Sequence, residues 1–323
     1  MAERRLINAI SVGSYALKIL KDGAVGEVHS TFERAFNVLI SGELVGIARR
    51  DVPNGPFNII TDVEPNDSMQ SLVDKGERIR VDGDLITFGK ELTISLNGAE
   101  VWRPKHGVKK PIDIELAKHN LSLVKVQGSW RKEGFGQLVL HVENMISGAQ
   151  FNDRQLNQVS RSGLPNIKYL VSAVKSGDLE LVRQSAKNLV GLGPGLSPSG
   201  DDLLAGFMVG LRWTVNSFNG DVNCVDEINR TIAHVAEGTT MLGKQLLIRA
   251  AAGEVNEAVE GLLKAILAGQ IEEVRTATEK VLAIGETSGV DSIVGILLGS
   301  LLGIESLNSF AQGKKGANKF HSM

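Results

Sequence analysis

Cysteine is nearly absent from the sequence, which contains one such residue, Cys224, among 323. A single cysteine excludes an intrachain disulfide and a cysteine-based zinc site, and we expect Cys224 to be a buried thiol on a helix. An excess of either charge is also absent, because 35 basic side chains are balanced by 37 acidic ones. The overall charge therefore gives no support to nucleic-acid binding.

Signals for export or membrane insertion are missing as well. The N-terminus has two arginines but no sustained apolar region and no clear cleavage site. The most apolar run, Gly289 to Ile304, is shorter than a membrane span requires and contains Asp291. These absences predict a cytoplasmic protein without a membrane partner, and they leave open whether it forms a homo-oligomer.

The first third of the chain has the pattern of short β-strands. Apolar and β-branched segments alternate with turns rich in Gly, Asn and Asp. Asp82-Gly83 and Asn97-Gly98 are the strongest hairpin signals. A basic stretch with two prolines, Arg103 to Pro111, follows and is interpreted as a solvated linker. The predicted strands are Ala16–Leu20, Gly26–Ser30, Ala35–Ile40, Leu44–Arg49, Phe57–Thr61, Arg78–Val81, Leu85–Phe88, Leu92–Leu96 and Glu100–Trp102.

Beyond the linker the apolar residues recur with a helical period. The segment Gln137–Ile146 is ambiguous, and Val290–Ile304 is apolar nearly all round, which predicts a central helix. The other predicted helices are Ile112–Val126, Pro165–Lys175, Asp178–Val190, Ser199–Val215, Cys224–Ala236, Thr239–Ala251, Asn256–Leu267 and Ile271–Ala283. We predict an α+β protein, with a β-rich barrel- or sandwich-like domain over residues 1–105 and a mostly α-helical domain over residues 106–323.

One pattern, S-G-x-D-x-x-x-G-x-x-x-G, occurs twice without a gap, at Ser199–Gly210 and at Ser288–Gly299. In each copy the serine is expected to be an N-cap and the aspartate to complete a capping box. Glycines four residues apart lie on one helix face and permit another backbone to approach closely. We expect the two helices to pack through these faces with both N-termini at one site. Two ordinary capped core helices are the alternative.

A loop rich in glycine and proline leads into the first copy. Its glycines permit positive φ, and Pro194 and Pro198 fix φ, so the loop can be tight and rigid. The helix start that follows is suited to a phosphate or a carboxylate. Asp201 and Asp202 stand where a P-loop requires lysine and a hydroxyl residue, and two carboxylates would repel a bare phosphate. The loop is therefore not a P-loop.

The two helix starts offer mixed chemistry. Hydroxyls come from Ser197, Ser199, Thr287 and Ser288, and carboxylates from Asp201, Asp202 and Asp291. With Asp202 and Asp291 expected to cap, Asp201 is left over and can hold Mg²⁺ with a phosphorylated ligand, or accept from a ligand amide or amine. The alternative for Asp201 is a surface partner of the helix dipole. No cofactor is certain.

The glycine-proline loop with Asp201-Asp202, the segment Gly285–Asp291 and the tripeptide Val28-His29-Ser30 together resemble a bacterial family long catalogued as a domain of unknown function. The family includes the H subunit of the oxamate carbamoyltransferase of anaerobic allantoin breakdown, a branch of purine catabolism. The resemblance extends from about Gly26 to Gly303. The second motif departs from the family pattern at Val290, where we expect a large aromatic residue.

The resemblance implies a subunit of a carbamoyltransferase complex. In that system three subunits move a carbamoyl group between oxalurate and phosphate, giving oxamate and carbamoyl phosphate. Two other classes stay open: a non-catalytic metabolite-binding or assembly subunit, and a Mg²⁺-dependent hydrolase that uses the Asp201/Asp202 pair. No residue is assigned a catalytic role, and nothing physical makes His29 catalytic. The implied ligand-binding residues are Gly193, Gly195, Ser197, Ser199, Gly200, Asp201, Asp202, Thr287, Ser288, Gly289, Asp291 and His29.

Overall fold

The structure is a computed structural model that describes residues 5–105 and 112–317, with side chains up to residue 307. The chain forms two compact units. One comprises Met1–Lys105 with Val255–Ala258, and the other comprises His106–Glu254 with Val259–Met323. Most of the predicted linker, residues 106–111, lies outside the described residues.

The N-terminal unit contains an eight-stranded barrel, which confirms the predicted β-rich fold. The strands lie in the order β5-β4-β3-β2-β6-β7-β8-β1, and β1 also pairs with β5, which closes the barrel. A ninth strand, β9, lies beside the second half of β1, beyond the end of β8. The strands are β1 (Arg5–Gly13), β2 (Val25–Thr31), β3 (Ala35–Ile40), β4 (Glu43–Ala48), β5 (Asn58–Thr61), β6 (Arg78–Asp82), β7 (Leu85–Phe88), β8 (Leu92–Ser95) and β9 (Glu100–Trp102).

Alternation along the strands fills the barrel with apolar side chains. On β3, Phe36, Val38 and Ile40 are fully buried, while the residues between them are partly exposed. Phe36 meets Phe88 of β7 edge to face, with ring centroids 5.5 Å apart. Because side chains of successive strand residues point to opposite faces, this period of two assigns one face of each strand to the core.

Two predictions in this unit were wrong, and one strand was missed. Ala16–Leu20 is not a strand: Ala16–Ile19 form a short helix, α1, because the Ala16 N–H donates to the Pro56 carbonyl and the Leu20 N–H to that of Ala16. The strand β1 was not predicted. Asp82-Gly83 does connect the antiparallel pair β6 and β7, whereas Asn97-Gly98 makes no hairpin, since β8 and β9 both run parallel to β1.

The second unit is helical in the part that the structure describes, as predicted. Five of its described helices begin at an Asn, Asp or Thr whose side chain accepts a hydrogen bond from the first turn, as ordinary N-caps do. The helices after α1 are α2 (Ile114–Gly128), α3 (Val142–Ser147), α4 (Gln158–Ser176), α5 (Leu179–Leu189), α6 (Ser199–Ser217), α7 (Val222–Ala233), α8 (Met241–Ala251), α9 (Glu257–Ala268), α10 (Ile271–Leu282) and α11 (Ser288–Ala317).

Two details of this unit differ from the sequence-based expectation. The helix α4 begins well before Pro165, because Asn157 caps it by accepting from the Ser160 N–H at 2.8 Å. Pro165 therefore lies inside the helix. Cys224 is exposed and not a buried thiol. The ambiguous segment forms a 3₁₀ helix, Gly136–His141, followed by α3.

The helix α11 is longer than the apolar run that we considered too short for a membrane span. By length and composition, Ser288–Leu307 could cross a bilayer. However, 72% of its most apolar window is buried inside the protein, and its Asp291 is fully buried. Such burial is typical of the core helix of a soluble protein, and it agrees with the predicted central position of Val290–Ile304.

Glycines bring α6 and α11 into backbone contact. A Cβ added to Gly206 would lie 2.2 Å from the carbonyl oxygen of Ser292, and one added to Gly295 would lie 2.0 Å from that of Leu203. Both distances are far below van der Waals contact, so neither position accepts a side chain without moving backbone. The close approach expected from the repeated motif is confirmed.

The same pair of contacts recurs one turn further along. A Cβ on Gly210 would lie 2.7 Å from the carbonyl oxygen of Ile296, and one on Gly299 would lie 2.2 Å from that of Phe207. Each glycine thus contacts the residue three positions before its counterpart on the other helix. The two helices therefore run in the same direction and are related by an approximate twofold axis along this glycine seam.

Candidate functional site

The two helix starts meet at one end of the glycine seam. The Ser199 Oγ atom lies 3.5 Å from the Thr287 Oγ1 atom. Ser199 is buried, whereas Ser197, Thr287 and Ser288 are half-buried. The convergence expected from the repeat is confirmed, while ligand binding at this place stays a prediction.

The first turn of α6 is not capped as the sequence suggested. Pro198 occupies the N-cap position and Ser199 is the first helical residue, with no side-chain cap. The Gly200 N–H donates to the Leu192 carbonyl at 2.8 Å, and the next two N–H groups donate to the Pro198 carbonyl. These backbone donors already have acceptors in the protein, so they do not form the anion cradle that we expected.

The predicted glycines of the site have packing roles. A Cβ on Gly200 would lie 1.8 Å from the Leu189 carbonyl oxygen, and one on Gly289 would lie 2.1 Å from that of Val281. Each motif helix therefore starts in contact with the end of the helix before it. In the loop, three glycines adopt positive φ, which side chains rarely allow; these are Gly191 (φ 74°), Gly193 (φ 109°) and Gly195 (φ 97°).

Asp201 is not the leftover carboxylate that we expected. Its Oδ1 atom accepts from the Gly191 N–H at 2.9 Å, and its Oδ2 atom accepts a short hydrogen bond from the Thr239 hydroxyl. Asp201 is fully buried, and burial raises its pKa although both hydrogen bonds lower it. Its two oxygens hold the loop and the chain before α8 against α6, so a metal role for Asp201 gains no support.

Asp202 and Asp291 occupy equivalent places in the two motif copies and interact crosswise. The Ser288 hydroxyl lowers the pKa of Asp202, and the Ser199 hydroxyl lowers that of Asp291. Each aspartate therefore lies near the serine that begins the other helix, and the motif joins two helices where we expected a capping box within each. The charge of Asp291 in turn raises the pKa of Asp202, which places the two carboxyl groups close together.

One oxygen of each of these carboxyl groups accepts no hydrogen bond of good geometry, although the Ser288 hydroxyl lies near Asp202 and the Ser199 and Thr287 hydroxyls lie near Asp291. Oδ1 of Asp202 accepts from the Ser197 hydroxyl at 2.5 Å, and Oδ1 of Asp291 accepts from the Phe135 N–H at 2.6 Å. Both Oδ2 atoms are buried and unpartnered, on residues that are only 4% and 0% exposed. Buried polar atoms nearly always have partners, so two orphans side by side require an explanation.

Burial controls the protonation of the pair. Desolvation raises the pKa of Asp291 to about 6, against the hydrogen bonds from the Phe135 N–H and from nearby hydroxyls. Desolvation also raises the pKa of Asp202 well above its usual value, and the neighbouring carboxylates add to this effect. Two like charges buried together oppose each other's ionisation, so ionisation of Asp291 favours the protonated form of Asp202.

Two protein-family models match the chain. Residues 189–300 match the model for oxamate carbamoyltransferase subunit AllH. Residues 8–101 match the model for the AllH family N-terminal domain, so the two segments cover most of the chain. The chain belongs to the AllH family. No match to it was found among curated proteins or solved structures.

The AllH segment contains both motif copies, but one contact of the site comes from outside it. Gly134 and Phe135 lie before α3, and a Cβ on Gly134 would lie 2.2 Å from Oδ1 of Asp291. Gly134 has φ 51°, which turns the Phe135 N–H toward that carboxylate. No sequence motif marks Gly134 or Phe135 as part of the site. Gly243, which leaves room for the Asp201 carboxylate, was also missed.

His29 belongs to the other unit of the chain. It lies on β2 in the AllH N-terminal segment, where its Nδ1 atom is 3.2 Å from the Ser30 hydroxyl. The Asn37 side chain donates to the same hydroxyl at 3.0 Å. Over the described residues, no group of three or more His, Cys, Asp or Glu side chains is placed to hold a metal ion.

A pocket of about 300 Å³ lies away from the helix starts, towards the C-terminal ends of α6 and α11. It is lined mainly by apolar side chains, among them Leu211, Val215 and Leu302, with Cys224 at its edge. None of the predicted site residues lines it. We place the candidate site by its unsatisfied carboxylates, because those atoms point to a bound polar group and the volume of an apolar pocket does not.

Proposed function

We propose that the chain works in the cytoplasm as a subunit of a carbamoyltransferase complex and binds a small anionic amide or phosphate ligand where α6 and α11 begin. Membership of the AllH family supports the complex. One observation carries the ligand site: the unpartnered Oδ2 atoms of Asp202 and Asp291. The family name supports oxamate and a carbamoyl group, and the resemblance adds oxalurate and carbamoyl phosphate to the proposed ligand class.

The cost of the arrangement supports a functional role. A buried polar group without a hydrogen bond lowers stability by about 1–3 kcal/mol, and by more if it is charged. The chain could avoid this cost with apolar side chains, as it does along most of α6 and α11. Strained or unsatisfied groups of this kind concentrate at binding and catalytic sites.

A second candidate function is assembly of the complex without ligand binding. Trp130 is 82% exposed on the surface of the helical unit, and tryptophan is enriched at protein interfaces. The Mg²⁺-dependent hydrolase is not favoured by any contact, because both oxygens of Asp201 have protein partners.

The test is reconstitution of carbamoyl transfer with the other subunits of the complex. We expect transfer from carbamoyl phosphate to oxamate to require this chain, and to fall at least about tenfold when Asp202 and Asp291 are both replaced by Asn, the change that loss of a hydrogen bond to a charged group produces. The control is Asp221→Asn, since Asp221 caps α7 by accepting from the Asn223 N–H.

Three results separate the candidates. Transfer that depends on both the chain and the two aspartates supports the ligand site. A complex that needs the chain to assemble but keeps full activity in the double variant supports the assembly role, with Trp130→Ala then expected to weaken the complex. Full activity in the absence of the chain contradicts both.

A further inference from the structure

The Asp202 and Asp291 pair offers the hydrogen-bonding groups that a carboxamide needs. In both side chains the Oδ1 atom accepts a hydrogen bond from the protein. Asp202 accepts from the Ser197 hydroxyl, and Asp291 accepts from the Phe135 N–H. Both leave Oδ2 buried without a partner. The charge of Asp291 acts on Asp202, and the two helix starts meet with Ser199 Oγ 3.5 Å from Thr287 Oγ1, so we treat the two free oxygens as one site.

One proton on this pair makes the two free oxygens chemically different. Two carboxylates buried together do not both ionise, so one carboxyl group keeps a hydrogen-bond donor while the other remains an acceptor. A carboxamide carries an N–H donor and a carbonyl acceptor on neighbouring atoms. A carboxylate or a phosphate dianion has acceptors only, and its charge is repelled by the ionised member of the pair.

We infer that Asp202 and Asp291 form a subsite for the primary amide of the ligand, with one carboxyl group accepting from the amide N–H and the other donating to the amide carbonyl. This inference rests on the proposed function, and within its ligand class it selects the amide over the phosphate. The half-buried hydroxyls of Thr287 and Ser288 lie beside the pair and mark the direction from which the ligand enters.

The sharpest probes are oxamate and oxalate, which have the same shape and differ by an amide against a carboxylate. In calorimetric titration of the wild-type chain with its partner subunits, we expect oxamate to bind roughly ten- to hundredfold more tightly than oxalate, the discrimination given by a hydrogen bond to a charged group. Phosphate tests the remaining ligand chemistry and is expected to bind more weakly than oxamate.

The double variant Asp202→Asn/Asp291→Asn should reverse this preference. If each Asn keeps its Oδ1 on the Ser197 hydroxyl or the Phe135 N–H, its NH₂ group replaces Oδ2. The subsite then has two donors and no negative charge, which suits the carboxylate of oxalate and opposes the amide N–H. A variant damaged in folding would lose both ligands, so a reversed preference is specific to the proposed chemistry. Asp221→Asn is the control and should keep the wild-type preference.

The outcomes distinguish this inference from the function on which it rests. Tighter binding of oxalate than of oxamate to the wild type, or equal binding of both, overturns the amide subsite while leaving the ligand-binding function intact. If neither of these ligands nor phosphate binds the complete complex, the proposed ligand-binding function fails. If the double variant does not fold, the wild-type comparison of oxamate with oxalate alone decides the question.

Discussion

The glycine seam and the helix starts at its end are built from the same repeated motif, yet they use it in different ways. Along the seam the two copies are equivalent, because each glycine contacts the carbonyl of a matching residue on the other helix. At the starts the copies diverge. The first is held by Asp201 through Gly191 and Thr239, whereas the second is held by Asp291 through Phe135.

The difference shows that burial beside the motif does not fix the role of a carboxylate. Asp201 and Asp202 are adjacent in sequence and both are buried. Asp201 has protein partners at both oxygens, which makes it structural. Asp202 keeps one oxygen without a partner, as Asp291 does. Backbone packing therefore determines how α6 and α11 meet along the seam. At the helix starts, hydrogen-bond donors from distant segments decide which carboxyl oxygen stays without a partner.

The largest effect is expected from adding a methyl group to the seam. Gly206→Ala and Gly295→Ala should each lower the free energy of unfolding by roughly 3 kcal/mol or more, at the upper end for overpacking. The reason is that the new Cβ meets a backbone carbonyl oxygen at 2.2 or 2.0 Å, and a backbone cannot rotate away as a side chain can. Urea unfolding of both variants measures the loss.

The matched control is Gly261→Ala on α9, where an added Cβ meets nothing within 4 Å. Alanine forms helix better than glycine, so this variant should gain up to about 1 kcal/mol. The comparison between seam and surface fails if Gly206→Ala and Gly295→Ala are also as stable as the wild type or more stable.

A smaller effect, of opposite sign, is expected at the helix starts. Asp291→Asn should raise the free energy of unfolding at pH 7 by about 2–3 kcal/mol, because it keeps an acceptor for the Phe135 N–H and removes a buried charge. The pKa of Asp291 is raised from 3.8 to about 6. The folded wild type therefore binds this proton more tightly than the unfolded chain does.

The sign of the pH dependence follows from that shift. In the wild type, protonated Asp291 favours the folded state. This contribution to the free energy of unfolding is fully present below about pH 4 and is lost as the pH rises through about 6. The stability difference between Asp291→Asn and wild type should thus be near zero at pH 4 and reach its maximum by pH 7. Loss of the Asp291 charge also lowers the pKa of Asp202, which acts in the same direction. A difference that does not change between pH 4 and 7 would show that Asp291 titrates normally.

The same contrast explains how far the sequence could predict the structure. The barrel, the helices and the seam follow from periods of two and of 3.6 and from glycines four apart, all of which are local patterns. The direction of β9 could not be read from Asn97-Gly98, because both β8 and β9 pair with β1, far away in the chain. The partner that Asp201 finds in Thr239 is likewise tertiary, so the motif alone made Asp201 look unengaged.

The smallest expected effect separates two hydroxyls at the starts of α6 and α8. Thr240 does cap α8, accepting from the Gly243 N–H at 3.0 Å, and it also donates to the Leu196 carbonyl at 2.5 Å. Thr240→Ala should therefore lower the free energy of unfolding by about 1 kcal/mol. Ser199 makes no capping bond, and its hydroxyl instead favours the ionised form of Asp291 on the other helix. Ser199→Ala should therefore lower the free energy of unfolding by no more than about 1 kcal/mol at pH 7, and the loss should shrink at pH 4, where Asp291 is protonated in the folded state. Urea unfolding of both variants at pH 4 and pH 7 decides between a crosswise role and a capping role for Ser199: a loss that is equal at the two pH values, as expected for Thr240→Ala, would mean that Ser199 acts on α6 itself, and the reciprocal serine–aspartate arrangement at the two helix starts would have to be abandoned.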